Sequence, residues 1–280
     1  MNTVKGIIST EALAKIIDQP NVKLIDASYF MSNTEDMIIP QIGGAITFDI
    51  DNIADKTAPL AHTLPSPEVF EQKIQELGIN QDDIVICYDQ NGVAMAACRA
   101  WWMFRLFGHD NVAVLDGGLP KWLDENRSVS NESMPDPKQG NFKSNYRPDL
   151  VRSADEMLQN IESEKEIVLD ARAKERFEGT NPEISGGHIP KSLNVPFMDL
   201  LNHDKTFKQL SELKEILSNH CILNNKALTA TCGSGVTACV VAMGLFLTGN
   251  EDVAIYDGSW TEWSANPDLP KKTGPAPSCK

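Results

Sequence analysis

The apolar positions of this chain fall into short runs rich in β-branched residues, and helix-like segments lie between them. "NVKLIDASYF" (21–30), "DDIVICYDQ" (82–90), "EIVLDARAKERF" (166–177) and "ALTATC" (227–232) carry the strand-like runs. "STEALAKII" and "SADEMLQNI" both open on a serine suited to an N-cap and place a glutamate close behind it. "SPEVFEQKIQELG" has serine, then proline at the first helical position, and stops at glycine. Short buried strands alternating with helices predict a mainly parallel sheet covered on both faces, with ligand sites at the carboxyl ends of the strands.

The pattern is written twice. The β-rich runs ending at Asp26 and Asp170 correspond, as do the glycine turns of "GGAITFDID" (43–51) and "GGHIPKSLNVPFMDL" (186–200). "DDIVICYDQNGVAMAACRAWWMF" (82–104) pairs with "KALTATCGSGVTACVVAMGLF" (226–246), and "VAVLDGGLPKWL" (112–123) with "VAIYDGSWTEW" (253–263). The offsets barely drift: Asp26 to Asp170 is 144, Gly92 to Gly235 is 143 and Asp116 to Asp257 is 141. Four matched blocks in the same order predict a duplicated domain. The N-terminal copy is expected over 1–128 and the C-terminal copy over 148–280. The Ser-, Asn-, Pro- and Gly-rich stretch 129–147 is expected to link them. The length, 280 residues, accommodates two α/β domains of ordinary size.

Composition narrows the function. The net charge of −14 argues against nucleic acid and against an anionic membrane surface, and an anionic substrate would need a local positive site. The six cysteines (87, 98, 221, 232, 239 and 279) form no CxxC pair and no zinc spacing with histidine, so no metal is expected. The amino terminus lacks the pattern of a signal or transit peptide, and the longest apolar runs are too short to span a bilayer. A reducing, cytoplasmic setting is expected.

One junction carries chemistry. In "ALTATCGSGVTACVVAMGLFL" (227–247) a strand ends at Cys232, a turn containing Gly233, Ser234 and Gly235 follows, and an apolar helix begins. Backbone N–H groups of such a turn can converge on one spot, and the helix amino terminus adds partial positive charge. These surroundings favour a thiolate. Cys239, inside the helix, reads as a buried structural residue. In the first copy Asp89 replaces Cys232, and because an unpaired carboxylate is costly to bury, the position is expected to be an exposed loop tip. A cysteine phosphatase would need arginine six residues after the nucleophile. That residue is Ala238, so phosphoryl transfer is disfavoured and sulfur transfer through a persulfide remains.

With this loop, the duplicated layout, "RAWWMFRLFGH" (99–109), "LDGGLPKWL" (115–123) and "YDGSWTEW" (256–263), nearly the whole chain resembles the two-domain rhodanese-type sulfurtransferases, in particular those that use 3-mercaptopyruvate. The resemblance implies two tandem rhodanese-like domains and a catalytically silent first copy. It assigns Cys232 as nucleophile, the loop residues Gly233, Gly235, Val236 and Thr237 to substrate binding, and Arg176 to the substrate carboxylate. It also implies a proton relay of Ser234, His62 and Asp51, the latter two facing the cysteine from the other domain. The acceptor would be a small thiol, thioredoxin or cyanide, and no cofactor is implied. "CGSGVTA" lacks the basic residues that thiosulfate-using relatives tend to carry, which favours a donor whose charge lies on a distant carboxylate. A second family arginine expected in the loop before "GHIP" is missing from "NPEISGGHIP" (181–190), so either another group, such as Arg172 or Lys191, compensates or carboxylate binding is weaker, which bears on the identity of the substrate more than on the chemistry. His188 reads as part of the structural turn. The rival readings are a thiosulfate:cyanide sulfurtransferase and a non-catalytic persulfide carrier.

Overall fold

The computed structural model describes residues 4–28, 40–130, 137–180, 186–220, 222 and 226–277. Two compact units divide the chain. The first comprises Met1–Thr57, Leu64–Arg147 and His203–Thr206, and the second Ala58–Thr63, Pro148–Asn202 and Phe207–Lys280.

The first unit runs β1 (Gly6–Ile8), α1 (Thr10–Ala14), β2 (Val22–Asp26), β3 (Ile46–Thr47), α2 (Ile50–Ile53), α3 (Pro67–Glu76), β4 (Ile84–Tyr88), α4 (Met95–Leu106), β5 (Val112–Leu115) and α5 (Gly118–Asp124). Its sheet has the order β1-β5-β4-β2-β3, and every pairing is parallel. The second unit repeats the plan with β6 (Val151–Arg152), α6 (Ala154–Ser163), β7 (Glu166–Asp170), α7 (Lys174–Glu178), β8 (Leu193–Asn194), α8 (Leu210–Asn219), β9 (Ala227–Thr231), α9 (Ala238–Leu247), β10 (Ala254–Tyr256) and α10 (Ser259–Ala265). Its order, β6-β10-β9-β7-β8, is the same and again parallel. The segments after the two glycine turns contribute only two-residue edge strands, β3 and β8.

Local chemistry places the helices. The hydroxyls of Ser9 and Ser66 accept the N–H groups of Ala12 and Val69, and Pro67 sits at the start of α3. Ser153 and Glu156 form a reciprocal capping box at the start of α6. Burial of apolar faces does the rest. Ile8, Leu13, Leu24, Ile86, Leu115 and Trp122 share one core, and Met157, Val168, Ile189, Tyr256 and Trp263 another. Helix α9 is buried along almost its whole length, which explains why its sequence shows no polar face.

The described part of the expected linker, residues 137–147, is packed against the first unit. The N–H groups of Gly140, Phe142, Asn145 and Arg147 donate to the carbonyls of Gln75, Ile79, Phe107 and Leu106 at 2.8, 3.2, 2.9 and 2.8 Å. Phe142 is fully buried, edge-on to Phe70 and Phe104.

Candidate active site

Each unit places one turn at the carboxyl end of its central strand. In the second unit Thr231 ends β9 beside Asp170 of β7, and Cys232 follows. The turn from Gly233 to Thr237 leads into α9, and Gly235 has φ +77°, a conformation that glycine adopts without strain. Its counterpart in the first unit, Gly92, has φ +75°, so the two turns share one backbone course. Among the described residues no acceptor takes the N–H groups of Ser234, Val236 or Thr237. These donors line the turn in front of α9 and suit an anion.

The first copy shows what such a turn does with a charge. The N–H of Gly92 donates to Asp89 Oδ1 at 2.8 Å, and the backbones of Ala97 and Ala94 also hydrogen-bond the carboxylate. Asp89 is 1% exposed, as is Cys232. The expectation of an exposed loop tip therefore fails for both copies. The buried carboxylate has Oδ1 held by a backbone donor while Oδ2 has no hydrogen-bond partner among the described residues, so its burial is only partly compensated. Desolvation nevertheless raises its pKa to about 6, against the lowering effect of those hydrogen bonds.

The cysteines separate by environment. Cys87 lies within β4, where desolvation pushes its thiol far above the usual range. Cys239 is fully buried in the first turn of α9, and its Sγ donates to the Gly235 carbonyl at 3.3 Å. Cys221 and Cys279 lie outside the described residues. No cluster of His, Cys, Asp and Glu among the described residues could hold a metal ion.

The backbone around Cys232 is clamped from the start of α10. The Trp260 N–H donates to the Cys232 carbonyl at 3.0 Å, and the Thr261 N–H and hydroxyl donate to the Gly233 carbonyl at 2.9 and 2.7 Å. A buried brace supports the same corner. Arg172 Nη2 donates to Asp170 Oδ2 at 2.6 Å and to the Gly187 carbonyl at 2.7 Å, with the guanidinium carbon 4.7 Å from the centre of the Trp260 ring.

The Rhodanese-like domain family matches this chain twice, over residues 9–125 and 153–266. The chain belongs to the rhodanese family. Over 96% of its length it is 40% identical to the Arabidopsis thaliana thiosulfate/3-mercaptopyruvate sulfurtransferase 2, covering 87% of that protein. The human 3-mercaptopyruvate sulfurtransferase is 38% identical over 92% of either chain. Among solved structures, that of SseA from Escherichia coli, described as a 3-mercaptopyruvate sulfotransferase, superposes with a TM-score of 0.82 at 35% identity. It covers 92% of this chain and 99% of that one.

Within this rhodanese the residues expected in the site fall as follows. Gly233, Ser234, Gly235, Val236 and Thr237 all lie in the turn. Arg176 is exposed on the last turn of α7. A Cβ built on Gly233 would lie 3.6 Å from Arg176 Nη2, so the guanidinium borders the loop. Its side chain makes no ion pair among the described residues, leaving the charge available to a ligand. Asp51 stands in the first turn of α2, in the first unit. His62 is half-buried with φ 63° in the segment 58–63 that clusters with the second unit. The Ser234 hydroxyl has no hydrogen-bond partner among the described residues, so the relay is not linked at that end.

Of the two cations expected to compensate, Arg172 is buried and paired with Asp170, with its Nη1 unpartnered among the described residues, and the exposed Lys191 pairs with Glu164. His188, expected to be structural, is buried and stacked on Phe177. The shortened loop at 181–185 lies outside the described residues. Sequence reasoning missed the clamp from α10, although the signal was present: "YDGSWTEW" is one of the four matched blocks. No described helix is long and apolar enough to cross a membrane.

Proposed function

We propose that this rhodanese-family sulfurtransferase takes sulfur from 3-mercaptopyruvate through a persulfide on Cys232. The observation that carries the reading is the position of Cys232 ahead of a turn in which the N–H groups of Ser234, Val236 and Thr237 have no acceptor among the described residues, with the Arg176 guanidinium beside the same turn. Arg176 grips the donor carboxylate. The Cys232 thiolate attacks the donor sulfur, forming an S–S bond as the C–S bond breaks. The electron pair of that bond leaves on carbon as the pyruvate enolate, which takes up a proton to give pyruvate. Ser234, His62 and Asp51 handle the proton lost from the donor thiol and returned to the enolate. An acceptor thiolate or cyanide then attacks the outer sulfur and releases the Cys232 thiolate.

Thioredoxin, a low-molecular-weight thiol or cyanide is the proposed acceptor, and the cytoplasm the proposed compartment. A second reading, thiosulfate as donor, is favoured by the double name of the Arabidopsis relative. The neutral loop "CGSGVTA", with Arg176 as its bordering cation, supports the carboxylate donor over thiosulfate.

Incubation with 3-mercaptopyruvate should add one sulfur atom to the intact mass, located at residue 232 by peptide mapping. Cys232→Ser should remain folded, acquire no sulfur and turn over at least ~1000-fold more slowly. Turnover near the wild-type rate in that variant would exclude the mechanism.

A further inference from the structure

Ser259 stands in a conformation that residues with a side chain rarely adopt, at φ 51°, and it is fully buried. Strain of this kind persists where the surroundings over-determine it. The hydroxyl explains why the surroundings do so. It accepts the N–H of Cys232 at 3.1 Å, donates to the Tyr256 carbonyl at 2.7 Å and accepts from the Thr231 hydroxyl at 3.3 Å. One donation and two acceptances fill the bonding capacity of a hydroxyl.

The duplicated copy supplies an internal comparison. Leu119 donates to the Asp89 carbonyl at 3.1 Å as Trp260 does to that of Cys232, which fixes the equivalence of Gly118 and Ser259. Gly118 shares the left-handed conformation, at φ 56°. A Cβ there would meet the Asp89 carbonyl oxygen at 2.6 Å and Gly92 Cα at 2.9 Å, so the first copy requires glycine. The second copy keeps the backbone and adds a side chain whose oxygen lands on the amide of the cysteine.

We infer that Ser259 is a positioning residue for sulfur transfer, holding the Cys232 amide so that the cysteine side chain and the turn's donors stay aligned. The inference rests on the proposed role of Cys232. With the Cys232 carbonyl held by Trp260 and the Gly233 carbonyl held by Thr261, the Ser259 hydroxyl holds the N–H side of the remaining peptide plane at the nucleophile, whose other side, the Thr231 carbonyl, accepts the Ala171 N–H at 2.8 Å. Without the hydroxyl the Cys232 N–H is left buried and unpaired, and the plane is held from the Thr231 side alone. Loss of alignment at a reacting centre lowers the rate of chemistry more than it lowers binding.

The test is Ser259→Gly, which removes the hydroxyl and also the strain, beside Ser259→Ala, which removes the hydroxyl alone. Both should lower kcat for 3-mercaptopyruvate by about tenfold, with KM within about twofold of wild type. Ser259→Gly should keep a wild-type thermal midpoint, so that the loss of rate is separated from loss of fold. A folded Ser259→Gly protein with wild-type kcat, in the same assay where Cys232→Ser is inactive, overturns the role of Ser259 and leaves that of Cys232 standing. If Cys232→Ser is itself active, the underlying reading fails instead. A readout needing no variant is hydrogen exchange in the wild-type protein. The Cys232 amide should exchange as slowly as the β9 core, and rapid exchange overturns the inference.

Discussion

Asp89 and Cys232 are two answers to one backbone geometry. Each lies at the end of a central strand, before a turn whose glycine takes a positive φ, and each is buried. The first copy fills its ring of donors with a carboxylate of its own chain. That carboxylate has a pKa raised to about 6 from 3.8, because burial outweighs the hydrogen bonds from Gly92, Ala97 and Ala94, with the Asp26 charge adding to the rise. A raised carboxylate pKa means the folded protein holds its proton over a pH range where the unfolded chain has lost it. The contribution is therefore complete below about 3.8 and is lost as pH rises through about 6. Asp89→Asn cannot ionise, and it keeps an acceptor oxygen for the Gly92 N–H. Measured by urea unfolding, its stability relative to wild type should increase between pH 4 and 7 by an amount on the order of 2–3 kcal/mol. A stability difference that stays constant over that range would contradict the assignment.

At the scale of elements, what was legible in the sequence was what is local. Ser9, Ser66 and Ser153 cap helices because a cap is decided within four residues, and the repeated blocks aligned because strand, turn and helix follow one another directly. The roles of Ser259 and Arg172 were hidden because their partners are set by tertiary packing: Ser259 reaches Cys232 across 27 residues, and Arg172 turns inward to Asp170 and Trp260. The packing of residues 137–147 was hidden for the same reason. Polar composition marked the stretch as the link between the copies, and its backbone donors reach α3, α4 and the turns after them, with Phe142 entering the core of the first unit. The segment accordingly behaves as part of that unit. Phe142→Ala should destabilise it by about 3–5 kcal/mol, the range for deleting a buried aromatic ring, seen as a lowered first transition in calorimetry or urea. A loss below about 1 kcal/mol would show that the stretch is a connector after all.

At the scale of the whole molecule, charge and function oppose each other. A protein with net charge −14 repels an anionic donor at long range, while the nearest attraction visible at the turn is one guanidinium, Arg176. The two effects respond differently to salt. Repulsion summed over the molecule acts over a Debye length of about 10 Å and is screened readily, whereas a direct guanidinium–carboxylate contact is screened little. Raising ionic strength from about 10 to about 200 mM should therefore increase kcat/KM, because encounter improves while the grip is retained. The logarithmic slope should be about twice as steep for the thiosulfate dianion as for the mercaptopyruvate monoanion, since repulsion scales with donor charge. At every ionic strength mercaptopyruvate should be the better donor. Arg176→Ala should lower its kcat/KM by about tenfold or more, mainly through KM, and leave the sign of the salt slope unchanged. A kcat/KM that falls with salt would mean that positive potential local to the turn governs encounter, and the account of a single cation working against the field of the whole protein would fail.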